Sequence, residues 1–256
     1  MFRRAALWAA GFSLVWQGLA AAHFHMLFPE TASTTTDKPV TFVFQWGHPF
    51  EHELFDTALP EKLIMVSPDR LQTVLTSSLS KFSIKGADNK NVTAYRFSFT
   101  PEKRGDYTCV AVAAPVWMEH EKQFLQDSAK VIVHVQTQKN WDAITGGFEL
   151  TPLTRPYGLQ PGMVFQAQIL DEGKPQPGVM AEVERYNATA PKELPADEQI
   201  TRRVKADPNG VLTCTLTDPG WWSITAERPG GMRERDGKSF PVVQRTTLWV
   251  YVDPKA

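Results

Sequence analysis

The stretch Thr93-Ala94-Tyr95-Arg96-Phe97-Ser98-Phe99 puts three aromatic rings on one parity, with alanine, arginine and serine on the other. That period of two is the signature of a half-buried β-strand, because successive side chains point to opposite faces. Working outward, residues 40–46 (VTFVFQW) are β-branched and aromatic, and residues 62–66, 80–84, 107–112 and 129–136 continue the series. Residues 24–28 supply a partner strand for residues 40–46. Further strands are expected at residues 148–153, 164–170, 180–186, 200–205, 211–216, 221–227 and 246–252. Turns punctuate this second series at Asp171-Glu172-Gly173-Lys174, Asp207-Pro208-Asn209-Gly210 and Asp218-Pro219-Gly220. Nineteen prolines and sixteen glycines spread along the chain suit many short strands joined by turns.

The fold class expected is all-β, as two tandem immunoglobulin-like or transthyretin-like β-sandwich domains after a signal peptide. The first occupies residues 23–137, residues 138–147 form a linker around Gly146-Gly147, and the second occupies residues 148–256. Cys109 and Cys214 fall in separate strands among apolar and β-branched neighbours, and two buried thiols are favoured over a bridge.

Residues 1–22 read as an export signal. Arg3 and Arg4 precede a mostly apolar run to Leu19, and Ala20-Ala21-Ala22 supply small residues for signal peptidase. Cleavage after Ala22 would make His23 the new N-terminus and place the protein in the periplasm, soluble. A slip of one would leave Ala22 in front. The formal net charge of −1, with no basic block, argues against nucleic acid as a partner.

All six histidines lie in the first unit. His23 and His25 stand at the new terminus, His48 and His52 bracket Pro49 in GHPFEH, His120 lies in WMEHE, and His134 alternates within a valine-rich strand as a packed histidine. Imidazole and amine nitrogens suit nickel, cobalt, copper or zinc, whereas carboxylates alone would suit magnesium or calcium. A free terminal amine can chelate a metal together with its own imidazole. With His25 in third position, the amine, two backbone amides and the imidazole can also wrap Ni2+ or Cu2+ in a square plane. If residues 24–28 pair in a sheet, those amides are used and His23 remains the ligand. The candidate metal ligands are therefore His23, His48, His52, His25 and His120.

The segments HFHMLFP, GHPFEH, WDAITG, TRPYGLQPGMVFQAQIL and DPNGVLTCTLTDPGWWSITAER together resemble the NikK-like family, periplasmic components of energy-coupling-factor nickel and cobalt transporters. The resemblance spans nearly all of the mature chain. It implies a non-catalytic protein that binds Ni2+, or Co2+, and serves an inner-membrane transporter, with His23, His48 and His52 carried over as ligands. Two other classes compete: a periplasmic copper carrier, since copper leads the Irving–Williams order, and a copper monooxygenase with an N-terminal histidine brace. Gly-Xaa-Ser-Xaa-Gly, Walker and His-Glu-Xaa-Xaa-His motifs are missing from the sequence, leaving hydrolase and nucleotide chemistry without support.

Overall fold

The computed structural model describes residues 23–86 and 89–255, so residues 1–22, where an export signal is expected, lie outside the described residues. The protein is all-β. In chain order the first strands are β1 (Phe24–Pro29), β2 (Ser33–Thr34), β3 (Val40–His48), β4 (Glu53–Phe55), β5 (Lys62–Val66), β6 (Gln72–Val74), β7 (Ser80–Lys85), β8 (Asn91–Phe99), β9 (Gly105–Val112), β10 (Val116–Met118) and β11 (Gln123–Val135). There follow β12 (Phe148–Pro152), β13 (Met163–Asp171), β14 (Lys174–Pro175), β15 (Met180–Arg185), β16 (Arg202–Lys205), β17 (Val211–Leu216), β18 (Gly220–Arg235) and β19 (Lys238–Val252).

These strands form three sheets among the described residues. One runs β1-β3-β8-β7, with β4 added to β3, and another runs β12-β13-β14, with β17 on β13. The largest runs β16-β15-β18-β19-β11-β9-β5-β6 and draws on both halves of the chain. Its seam is a parallel pairing of β11 with β19, from Phe124 opposite Val242 to Val131 opposite Trp249. The last strand of the chain is therefore hydrogen-bonded into the sheet of the first half.

Alternation along that seam separates two cores. Val131, Val133 and Trp249 pack with Phe42, Phe44 and Leu63, whereas Ile132, Leu248 and Val250 pack with Leu150, Phe165 and Ile169. Successive residues of a strand face opposite ways. The two smaller sheets consequently cover opposite faces of the shared one.

Residues 138–147 are tied down at several points. Asp106 accepts the Lys139 backbone N–H at 2.7 Å, and Lys130 Nζ donates to the Ala143 carbonyl at 2.8 Å. The final hairpin is longer than the sequence predicts, because residues 228–245 are too polar and glycine-rich to show a core-facing period. Beyond the core it is propped from the side instead: the Arg235 guanidinium lies 4.4 Å from the Trp117 ring and Phe240 meets that ring edge-on at 4.7 Å.

Both cysteines are free thiols, Cys109 in the first core and Cys214 against the second. Burial pushes both thiols up, that of Cys214 to about 11. At pH 8 Cys214 is then about one-thousandth thiolate, and only thiolate attacks a disulfide reagent. Neither thiol is expected to react with an aromatic disulfide reagent within minutes in native protein, and both react in urea; rapid native labelling of either would contradict the packing.

Candidate metal site

The site begins with an edge strand. β1 pairs antiparallel with β3, placing Phe24 opposite Gly47 and His25 opposite Trp46. Every residue of β1 is buried. Its far side is closed by the second half of the chain, where Phe28 meets Tyr186, Trp221 and Trp249 at ring distances of 4.5, 5.4 and 4.7 Å. The start of the chain's described part is thus fastened in the interior.

β3 carries the second component. It returns through residues 49–52 into β4, with His48 opposite Glu53. The return is tight at Gly47, where an added Cβ would stand 2.0 Å from the Glu53 carbonyl oxygen. Only glycine permits that approach. Across the hairpin, His48 Nδ1 and Glu53 Oε2 are 2.9 Å apart. A carboxylate can only accept, so Nδ1 carries a proton, and in the neutral ring Nε2 then presents a lone pair. That Nε2 is buried and has no hydrogen-bond partner.

His23 faces this ring. The two imidazole centroids are 4.4 Å apart at 64°, and His23 also lies 5.3 Å from the Trp46 ring and 5.5 Å from Phe55. A carboxylate-anchored histidine with its other nitrogen free, beside a second imidazole in an aromatic enclosure, has the make-up of a metal ligand with its outer-shell partner. Among the described residues no group of three or more His, Cys, Asp or Glu side chains is placed to hold an ion. The donors brought together are two imidazoles, to which cleavage before His23 would add an amine.

The other candidates sit elsewhere. His25 is 3% exposed, and its Nδ1 donates to Asp127 Oδ2 at 2.7 Å. With β1 laid against β3, the backbone at Phe24 and His25 is held extended in a strand. His52 adopts a left-handed φ of 54°, and its ring lies 5.8 Å from Tyr186, with Nδ1 buried and unpartnered. His120 is exposed in the turn between β10 and β11. His134 is bonded through Nδ1 to Asp106 at 2.7 Å and stacked on Tyr157 at 4.1 Å.

Residues 49–50 are held by the second half. Asn187 donates its backbone N–H to the Pro49 carbonyl at 3.0 Å and its side-chain amide to the Phe50 carbonyl at 2.6 Å, while Phe50 N–H donates to Glu184 Oε1 at 3.2 Å. Asn187, Glu184, Asp127 and Arg245 all escape a search of the sequence for ligand clusters, being remote from the histidines along the chain. The signal available was a charged residue inside an apolar strand, as Asp127 in QFLQDSAKVIVHV and Arg245 in VVQRTTLWVYV.

Residues 20–230 match the family described as "Domain of unknown function (DUF4198)", and the chain belongs to that family. No match is found among curated proteins. Among solved structures the chain is similar to a Salmonella alpha-2-macroglobulin reacted with methylamine, at 15% identity and a TM-score of 0.27, over 90% of this chain and 15% of that one. It is also similar to a DUF4785 family protein from Legionella pneumophila, at 10% identity and a TM-score of 0.30, over 78% of this chain and 50% of that one. Escherichia coli alpha-2-macroglobulin activated by porcine elastase aligns at 15% identity with a TM-score of 0.25, over 90% of this chain and 20% of that one. The chain thus spans half or less of each of these proteins. No helix among the described residues is long and apolar enough to cross a membrane.

Proposed function

We propose that this is an exported, non-catalytic protein of two β-sandwich units, residues 23–137 and 148–256, that binds one divalent transition-metal ion at His23 and His48. In this reading it serves nickel or cobalt uptake by an inner-membrane transporter. The observation that carries it is the buried, unpartnered Nε2 of His48, aligned by Glu53 and set beside His23. An unpaired buried nitrogen costs about 1–3 kcal/mol, a cost that a bound ion removes. The NikK-like resemblance supports nickel or cobalt as the ion and the periplasm as the compartment. Two separate cores support the two-unit description.

Copper is the second reading. It is favoured by the donors themselves, which are imidazole nitrogens with no thiolate, a set that binds Cu2+ more tightly than Ni2+. Either ion is cargo in this reading, and a carrier is preferred to a monooxygenase because the NikK-like resemblance implies a non-catalytic protein.

Calorimetric titration of the exported protein, its N-terminus established by sequencing, is expected to show about one Ni2+ per chain. Affinity should fall as pH drops, since protons compete for the imidazole lone pairs. His48→Ala should weaken binding at least about 100-fold. Unchanged affinity in that variant removes the site. Competition between Ni2+, Co2+ and Cu2+ on the same protein decides among the ions.

A further inference from the structure

The main chain of His23 is itself gripped. Asp127, buried on β11, accepts from His25 Nδ1 at 2.7 Å and from Arg245 Nε and Nη2 at 2.8 and 3.0 Å. The same Nη2 also donates to the carbonyl oxygen of His23, and the guanidinium lies 5.2 Å from the centre of the Phe24 ring. Four residues along the same strand, Trp249 Nε1 donates to the His25 carbonyl at 3.3 Å. Three strands, β1, β11 and β19, converge on one planar cation.

We propose that Asp127 and Arg245 are positioning residues of the metal site, holding the His23 backbone so that its ring meets His48, and drawing His25 out of the ligand set. The proposal rests on the reading of His23 and His48 as the metal pair. Its physical basis is the arginine fork, whose rigid, planar donors span a carboxylate and a carbonyl at once. Lysine has a shorter reach and no planar fork, so it does not reproduce the paired bonds to Asp127 together with the bond to the His23 carbonyl. With His25 bonded to Asp127 and its backbone in a strand, the square-planar wrap through the amides of Phe24 and His25 is closed. The donor set is then short of a full coordination shell. His23 and His48 alone would hold the ion, a small donor set that would suit capture followed by hand-over.

Three variants of the exported protein test this by nickel titration, with circular dichroism as a check of folding. Arg245→Lys is expected to lose about 10- to 100-fold in affinity at unchanged stoichiometry. His25→Asn, whose amide still donates to Asp127 from the position of Nδ1, is expected to stay within about threefold of the natural protein. Should Arg245→Lys fail to fold, Asp127→Asn takes its place with the same expected loss. Natural affinity in a folded Arg245→Lys or Asp127→Asn protein overturns the proposal. So does His25→Asn losing as much as His48→Ala, because His25 would then be a ligand. A diamagnetic, amide-bound square-planar nickel spectrum in the natural protein also overturns it. If His48→Ala alone leaves binding intact, the failure lies instead with the metal pair.

Discussion

Glu149→Leu is expected to destabilise the protein by about 3–5 kcal/mol, because it strands the Lys130 ammonium in the interior. Lys130 and Glu149 are both buried, with Nζ 2.8 Å from Oε2. Burial holds the Lys130 amine below its ordinary range, and the Glu149 carboxylate acts against that. Glu149 also accepts the backbone N–H groups of Thr145 and Gly146, each at 2.8 Å, and the Thr145 hydroxyl at 2.8 Å. One carboxylate therefore closes both an ion pair and the turn entering β12. Lys130→Met removes only the first of these and leaves Glu149 with its other donors, so its cost should be the smaller. The double variant should recover part of the loss, since no charge remains buried, but the Thr145 and Gly146 donors stay unmet. Urea denaturation measures all three. Equal costs for the two single variants would contradict this division of roles.

Glu184 should make stability fall between pH 4.5 and 8. Its carboxyl is buried between β15 and the loop after β3, and burial raises it from 4.5 to about 8, with the Glu51 charge adding to the rise and the Thr201 hydroxyl bond opposing it. The folded protein keeps this proton over an interval in which the unfolded chain has lost it. Folding then binds more protons than the unfolded state does, and stability declines as pH rises through the interval. It is highest below 4.5 and the loss is complete above 8. The interval corresponds to on the order of 5 kcal/mol. Glu184→Gln keeps an oxygen for the Phe50 N–H and carries no charge, so its melting temperature should vary far less over this range. At pH 8.5 it should exceed that of the natural protein by several degrees. Parallel pH profiles for the two proteins would argue that Glu184 ionises freely.

Much of the strand content was legible in the sequence. Residues 40–46, 62–66 and 93–99 announce themselves by β-branched and aromatic composition or by a period of two, and the structure places β3, β5 and β8 there. The strands that escaped, such as β2, β4 and β10, are two or three residues long and too short to show a period. The parallel seam of β11 and β19 escaped for a different reason. Nothing in either stretch specifies a partner more than a hundred residues away, since valine-rich strands pair with many others equally well.

The candidate site divides in the same way. By itself the sequence determined which nitrogen donors exist, that they are confined to the first unit, and that His48 and His52 flank one proline-containing turn; that His48 pairs with Glu53 came from the structure. Those are local facts, governed by composition and by the short reach of a hairpin. Only the tertiary structure decided that His23 meets His48 while His25 turns to Asp127. That choice depends on Arg245, which stands 222 residues from His23. A buried guanidinium must satisfy its donors wherever the fold supplies acceptors, and here the acceptors are a carboxylate on β11 and the backbone of β1.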